Sequence, residues 1–345
     1  MKLDMHCHVK EGSVDSRVSL DEYITKLKAH GFDGMLITDH DTYKGYRHWK
    51  NEMKGKVYED FVVLKGIEYD TCDAGHIICI MPEGVKMRLL EMRGMPVTML
   101  IDFVHRHGGI LGPAHPCGEK YMSFTNTKRY YRSPEIIKRF DFIEAFNACE
   151  PEASNEGARK LAQKYKKPGI GGSDSHNLIE ERYKGSDKPS IAGDPGTYVF
   201  CPSLTPELLL KHVKQGNIYV SRFCTADVRI TSQSKSFFPG DRMEDVERKI
   251  MMEIEIFGNE LEEGITPVIW IVQNEKRIKL TTEKTKKGYR AVGEVHFLKG
   301  KWNWARLEAR TADGEFLLYS NPVWQGAKRN RFRTYREALE AFHAN

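Results

Sequence analysis

Over the first two hundred residues, short apolar runs alternate with amphipathic stretches, and run after run ends on a histidine or a carboxylate. That order restricts the possible folds more than any other feature, because parallel strands need long crossovers and the usual crossover is a helix. The runs at 34–38, 61–67, 77–80, 110–114, 142–145, 169–173 and 197–200 read as strands. Ahead of the first of these, Ser19 and Glu22 form a capping box before a stripe of Leu20, Ile24 and Leu27, which ends near Gly31. Pro96 opens a second helix containing Met99, Leu100, Phe103 and Val104, and Gly108 and Gly109 stop it. Residues 153–166 supply a third helix, and Thr205-Pro206-Glu207 starts a fourth. Parallel strands with helices outside them are expected, as a barrel or an open sheet, with polar residues gathered at strand carboxyl ends where barrel enzymes build their sites.

The chain begins with a run of its own, Asp4-Met5-His6-Cys7-His8. Alternate side chains of a strand share a face, so His6 and His8 point the same way with Asp4 beside them. Imidazole suits zinc, manganese or iron. Further ligand types follow in or beside the later runs: Asp15, His40, Glu68, His76, His115, Asp174 and His176. Gathered at one end of a sheet, such groups would be costly to bury without cations, so two or three divalent metal ions (Mn, Fe or Zn) are expected. Asp39 and Asp41 flank His40 and are read as partners that orient imidazoles. Glu144 and Asn147 either do the same or cap a strand. His105 and His107 are read as cations at a helix carboxyl end, and Cys7 and Cys117 as packing residues.

From about residue 223 the pattern changes to strands separated by charged turns, at 228–230, 251–256, 268–272, 292–297 and 305–309, which suggests a small antiparallel sandwich. The expected division is therefore 1–222, 223–326, and a basic tail at 327–345 with a short helix at 334–342. The net charge of +5, from 53 Lys and Arg against 48 Asp and Glu, is mild. It favours a small anionic substrate over a cationic one and does not argue for nucleic acid beyond a short oligonucleotide. Seven scattered cysteines without a Cys-x-x-Cys pair point away from a disulfide framework and toward a reducing compartment. No apolar run approaches the roughly 18 residues of a membrane helix, and the first residues lack a signal-peptide stretch, so the cytoplasm is expected. Oligomeric state is not legible.

Six motifs then stand in a familiar order: Asp4-x-His6-x-His8, Thr38-Asp39-His40, Gly66-Ile67-Glu68, Gly75-His76-Ile77, His115-Pro116 and Gly172-Ser173-Asp174-Ser175-His176. With them residues 1–222 resemble the polymerase and histidinol phosphatase (PHP) domain metallohydrolases. The resemblance implies a distorted seven-stranded (β/α) barrel of PHP type and a trinuclear site. One metal would lie on His6, His8, Glu68 and Asp174, a second on Glu68, His76 and His115, and a third on Asp15, His40 and His176, with Glu68 bridging the first two. Asp15 stands two residues later than the family's usual spacing, and Glu11 is the other candidate for that ligand. The remainder resembles the β domain of one PHP subgroup through residues 304–310 and Ser320-Asn321-Pro322-Val323.

Clustered divalent cations make a nucleophile from water near neutral pH and clamp phosphoryl oxygens. The expected activity is hydrolysis of a small phosphomonoester, a nucleotide or sugar phosphate. Glu68 and Asp174 would set the attacking water, and His176 or His40 would assist the leaving oxygen. The alternatives are hydrolysis of a carbamate, ester or amide, and a non-catalytic binding module stabilised by metal. The segment 117–134 follows the strand ending at His115 and carries Lys120, Lys128, Arg129 and Arg132 among Tyr121, Phe124, Tyr130 and Tyr131. Cations interleaved with aromatics are expected to hold a phosphate and stack a base.

Overall fold

The structure is a computed structural model that describes residues 1–86, 88–119, 122–178, 181–182, 189–190, 192–203, 205–258, 265–326, 335–336 and 339. It divides into two compact units, Met1–Lys214 and Gln215–Asn345. The division falls ahead of the expected 222 because Ile218–Ser221 (β11) pairs along Phe316–Ser320 (β21), deep in the second unit. Most of the expected tail helix at 334–342 lies outside the described residues.

In the first unit the central strand is Lys2–Cys7 (β1), buried throughout. It pairs in parallel with Gly34–Ile37 (β2), which pairs in parallel with Val62–Thr71 (β3). Gly75–Met81 (β4) then runs antiparallel to β3, and Ile110–Pro113 (β5) antiparallel to β4. On the other edge of β1 lies Gly196–Val199 (β10), also antiparallel. Ile143–Asn147 (β6) and Gly169–Gly172 (β7) form a separate parallel pair, and Glu181–Arg182 (β8) with Pro189–Ser190 (β9) a short antiparallel ladder.

The uniformly parallel arrangement expected from the βα rhythm therefore does not form. Between β3 and β4 only residues 72–74 intervene, far short of the dozen or so that a parallel crossover needs, so the two strands make a hairpin. Among the described residues the first unit's ladder is not continuous through seven strands. The β6–β7 pair meets its neighbours through individual hydrogen bonds: Asp141 N to Leu111 O at 2.8 Å, Asp174 N to His6 O at 2.8 Å, and Gly171 N to Thr197 Oγ1 at 2.8 Å. The hairpin has one consequence for the site. Because β4 is reversed, its first residues lie beside the carboxyl end of β3, which pairs His76 with Asp70 and sets its ring diagonally against Glu68.

Helices cover this sheet as their patterns dictate. In Leu20–Ala29 (α1) the capping box is present, with Ser19 N donating to Glu22 Oε2 at 2.9 Å and Glu22 N to Ser19 Oγ at 3.3 Å. Its Leu20, Tyr23, Ile24 and Leu27 pack in one buried cluster with Phe32, Met35 and Ile37, each burial stabilising by about 1.5–3 kcal/mol. Val97–Arg106 (α3) buries Val97, Leu100, Ile101 and Val104 with Leu111, Phe124 and Phe140. Lys44–His48 (α2), Lys128–Arg132 (α4), Glu152–Tyr165 (α5) and Pro206–Gln215 (α6) complete the set.

The second unit is built from antiparallel sheets. One has the order Lys235–Phe237 (β13), Thr225–Ser232 (β12), Arg248–Phe257 (β15), Gly288–Phe297 (β19) and Thr282–Lys284 (β18). In the other, Asn303–Arg310 (β20) is flanked by Val268–Gln273 (β16) on one side and by β21 and Val323–Gln325 (β22) on the other. Lys276–Lys279 (β17) extends it beyond β16, and Arg242–Met243 (β14) pairs in parallel with β22. Along β15, Ile250, Met252, Ile254 and Ile256 are buried while their neighbours face outward, the alternation of a sandwich strand. A Cβ at Gly293 would stand 2.8 Å from Ile271, so the two sheets touch there. Among the described residues no helix is long and apolar enough to cross a membrane.

Candidate metal centre

At the end of the first unit's sheet where β1, β2 and β3 finish, their last residues converge on Glu68. His6 and His8 are fully buried and share one face. The Nε2 of His6 lies 3.3 Å from Glu68 Oε2 and 3.3 Å from Asp174 Oδ1, and the Nε2 of His8 lies 3.3 and 3.1 Å from the same two atoms. On its other oxygen, Oε1, Glu68 meets His76 Nδ1 at 2.9 Å and His115 Nε2 at 3.0 Å. His40 brings Nδ1 to 3.2 Å from Glu68 Oε2 and Nε2 to 3.4 Å from Asp15 Oδ2, which is 3.5 Å from His176 Nε2. The His8 ring stacks on both His176 and His40, with centroids 4.1 and 4.5 Å away. All nine ligand-type residues singled out in the sequence thus meet in one cluster. Glu11 does not join them, because its Oε2 accepts the Leu20 amide at the head of α1.

The donor set fits divalent cations. His6 Nε2, His8 Nε2 and Glu68 Oε2 are buried atoms without a hydrogen-bond partner, an arrangement that is costly unless a ligand satisfies them. Spacings of 3.1–3.3 Å between them and Asp174 are those of atoms about 2.0–2.2 Å from a shared ion. Three groups have ligand atoms within 4.8 Å of one another: His6, His8, Glu68 and Asp174; His40, Glu68 and His76; and His8, His40 and His176.

The charges are mutually dependent. Burial opposes ionisation of Glu68, yet His76, His6 and His40 hold its carboxyl well below the usual range. Asp174 is likewise lowered against burial, by His6 and His8. Hydrogen bonds from His176 and His40 pull Asp15 down. Burial disfavours the His40 cation, but Glu68 and Asp15 raise its pKa to about 9.

Several groups that hold the ligands carried little sequence signal. The carboxylate of Glu144 accepts from His6 Nδ1 at 2.8 Å, from the His115 amide at 2.5 Å and from Asn147 Nδ2 at 3.1 Å. Asn147 also donates to Asp174 Oδ2 at 3.1 Å, which leaves Oδ1 facing the histidines. Asp4, expected beside His6 and His8, is spent on the loop after β7: it accepts from Ser173 N and Oγ at 3.0 and 2.7 Å and from Tyr23 at 3.2 Å. Asp39 accepts from Val9 N at 2.9 Å and Ser13 Oγ at 3.1 Å, while Asp41 accepts from the Asp70 amide. Ser13 stands between His8 and Asp39 and was not singled out at all.

Backbone shape completes the site. His115 and Asp174 have φ of 28° and 53°, a left-handed region that side chains other than glycine seldom adopt and that collects at functional sites. Gly172 lets β7 pass against β1, since a Cβ there would lie 2.7 Å from the His6 amide nitrogen.

The expected phosphate-holding segment touches the cluster at Ser123, whose Oγ lies 3.3 Å from His115 Nδ1, while its described cations line a neighbouring cleft. Lys128, Arg129 and Arg132 line a cleft of about 540 Å³ with Asp70, Asp73, Gly75 and Thr127, and none of the nine ligand-type residues lines it. Arg129 is committed to Asp73, with Nε at 2.8 Å. Lys120 lies outside the described residues.

Fold and cluster together define a metal-dependent hydrolase. The chain belongs to the PHP domain family, which it matches over residues 4–177, just over half its length. Among solved structures it is similar to a proposed metal-dependent phosphoesterase from Bifidobacterium adolescentis, at 15% identity and a TM-score of 0.42 over 56% of this chain and 91% of that one. It is also similar to PsfC from Pseudomonas syringae, at 16% identity and a TM-score of 0.44 over 61% and 87%. An amidohydrolase from Chromobacterium violaceum, solved with sulfate and no metal, aligns at 13% identity and a TM-score of 0.40 over 55% and 92%. No curated protein is similar enough in sequence to be matched.

Proposed function

We propose that the chain hydrolyses a small phosphomonoester, a nucleotide or sugar phosphate, at this cluster. The observation that carries the reading is the meeting of six imidazoles with Glu68, Asp174 and Asp15 at one sheet end, with three buried donor atoms left unpartnered. Two or three cations held there, of manganese, iron or zinc, would supply activated water and charge neutralisation at phosphoryl oxygens. A serine or cysteine nucleophile is not needed.

The chain's own groups divide the remaining work. Glu68 offers one oxygen to His6, His8 and His40 and the other to His76 and His115, so it joins both halves of the cluster. Asn147 and Glu144 keep Asp174 and His6 aimed inward. His40 and His176 are partly exposed and Asp15 half exposed, so this is the open side for substrate entry. Either imidazole would assist the leaving oxygen by passing it a proton. Lys128 and Arg132, in the cleft that reaches Gly75 next to His76, would hold the more distant part of a phosphorylated substrate.

The test is phosphate release from nucleotides, sugar phosphates and p-nitrophenyl phosphate by protein reconstituted with Mn²⁺, with metal counted on the same sample. Release at two or three ions per chain is expected. Full loading without release, together with turnover of an ester or amide, would overturn the phosphoesterase reading. Replacing Lys128 and Arg132 together by alanine is expected to raise KM about tenfold with kcat little changed. An unchanged KM would remove the cleft from substrate binding.

A further inference from the structure

Ser13 sits where three parts of the cluster meet. Its Oγ donates to Asp39 Oδ1 at 3.1 Å, and it lies 3.2 Å from His8 Nδ1 and 3.2 Å from the His40 backbone amide. A hydroxyl has one proton to give and two lone pairs to fill. The His40 N–H must take one lone pair. Asp39 Oδ1, which already accepts the Val9 amide, is the acceptor left for the hydroxyl, so the hydroxyl proton goes to Asp39. The second lone pair then faces His8 Nδ1, so the proton of the neutral His8 ring belongs on Nδ1.

That placement leaves Nε2 as a bare lone pair, and Nε2 is the atom aimed at Glu68 and Asp174 without a hydrogen-bond partner. The same hydroxyl holds the backbone of His40, whose ring meets Asp15 and Glu68. Backbone amides beside it fasten the loop that carries Asp15: Ser13 N donates to Val9 O at 2.8 Å, and Val9 N to Asp39 Oδ1 at 2.9 Å. Asp39 itself has no room to move, since a Cβ at Gly12 or Gly45 would fall 1.8 or 2.2 Å from its Oδ2.

We infer that Ser13 is a positioning residue that fixes the His8 ring with its proton on Nδ1 and the His40 segment in register, so that the subsite of His6, His8, Glu68 and Asp174 and the neighbouring subsite of His40, Asp15 and His176 form together. The inference rests on the cluster holding cations, as the proposed function does, but its readouts need no substrate.

The experiment titrates full-length metal-free protein with Co²⁺, following visible absorption and equilibrium dialysis, for the wild type, Ser13→Ala and Ser13→Thr. Loss of a group that orients a ligand costs about 10–100-fold in metal affinity. Ser13→Ala is therefore expected to weaken two binding steps by that factor, and Ser13→Thr, which keeps the hydroxyl, to restore both. Unchanged affinities in Ser13→Ala, or weakening of one step alone, would overturn the coupling. Should Ser13→Ala fail to fold by circular dichroism, long-range ¹H–¹⁵N spectra of the metal-free wild type at pH 8.5 decide, with His8 assigned through His8→Gln. A proton on Nδ1 is expected, and a proton on Nε2 would refute the inference. A wild-type chain that loads cations but releases no phosphate would overturn the proposed function alone, whereas one that binds no Co²⁺ would overturn both.

Discussion

Glu68→Ala is expected to lower hydrolysis on the order of a thousandfold or more, the scale set by losing a central electrostatic group from a buried site. At the same time it should lower the bound metal. Both carboxylate oxygens are engaged, Oε2 by His6, His8 and His40 and Oε1 by His76 and His115, so its removal strips a ligand from each half of the cluster. The measurement is metal content per chain on the same sample as the rate, with folding followed by circular dichroism. Wild-type turnover with unchanged metal would end the bridging assignment. Removing the one carboxylate shared by five imidazoles also leaves those buried groups uncompensated and lowers stability, so melting temperature alone is a poor readout of lost metal here.

Gly172→Ala is expected to damage the site without replacing any of the ligand-type residues. The added Cβ would lie 2.2 Å from His6 Cβ and 2.7 Å from the His6 amide nitrogen, so β7 or β1 must shift. Overpacking of this kind costs about 1–3 kcal/mol. The shift would be passed on directly, because Asp174, two residues along, is tied by its amide to His6 O at 2.8 Å. A lower melting temperature together with weaker metal binding is the expected result. Gly84→Ala, where nothing lies within 4 Å of the added Cβ, serves as the control. If the two variants behaved alike, close approach at Gly172 would not be what aligns Asp174.

How much of this was legible in the chain can be judged from particular residues. His6 and His8 share a face because strand side chains alternate, so their pairing follows from two positions of spacing. The capping box of Ser19 and Glu22 and the apolar stripe behind it are local chemistry, and α1 forms as they dictate. The outward and inward alternation in β15 and β19 likewise marks the second unit as sheet on sheet. Glu68 and Asp174 were recognisable as ligand-type residues because each closes an apolar run, and the family's motif order made the set of nine visible.

Strand direction was partly legible and was misread. Three residues between β3 and β4 rule out a crossover, a constraint that outweighs the general βα rhythm. The reversed strand is what sets His76 beside Glu68. The choice between Asp15 and Glu11 could not be made from spacing, because both lie on one loop whose path depends on distant partners. Glu11 is drawn to the α1 amide, while the loop is held by Ser16 Oγ donating to His8 O at 2.9 Å and by Arg17 N donating to His176 O at 3.0 Å.

The sequence by itself determined the periodic elements, the family and the identity of the donors, since these depend on neighbours a few residues apart or on motif order. Only the tertiary structure decided which donors face one another, which tautomers they are offered, and that Asp4, Asp39 and Glu144 hold the cluster rather than join it. Those outcomes depend on hydrogen bonds between residues as far apart as Asp4 and Ser173 or His6 and Glu144. A carboxylate looks the same in a sequence whether it meets a cation or an amide; burial and the atom opposite it make the difference.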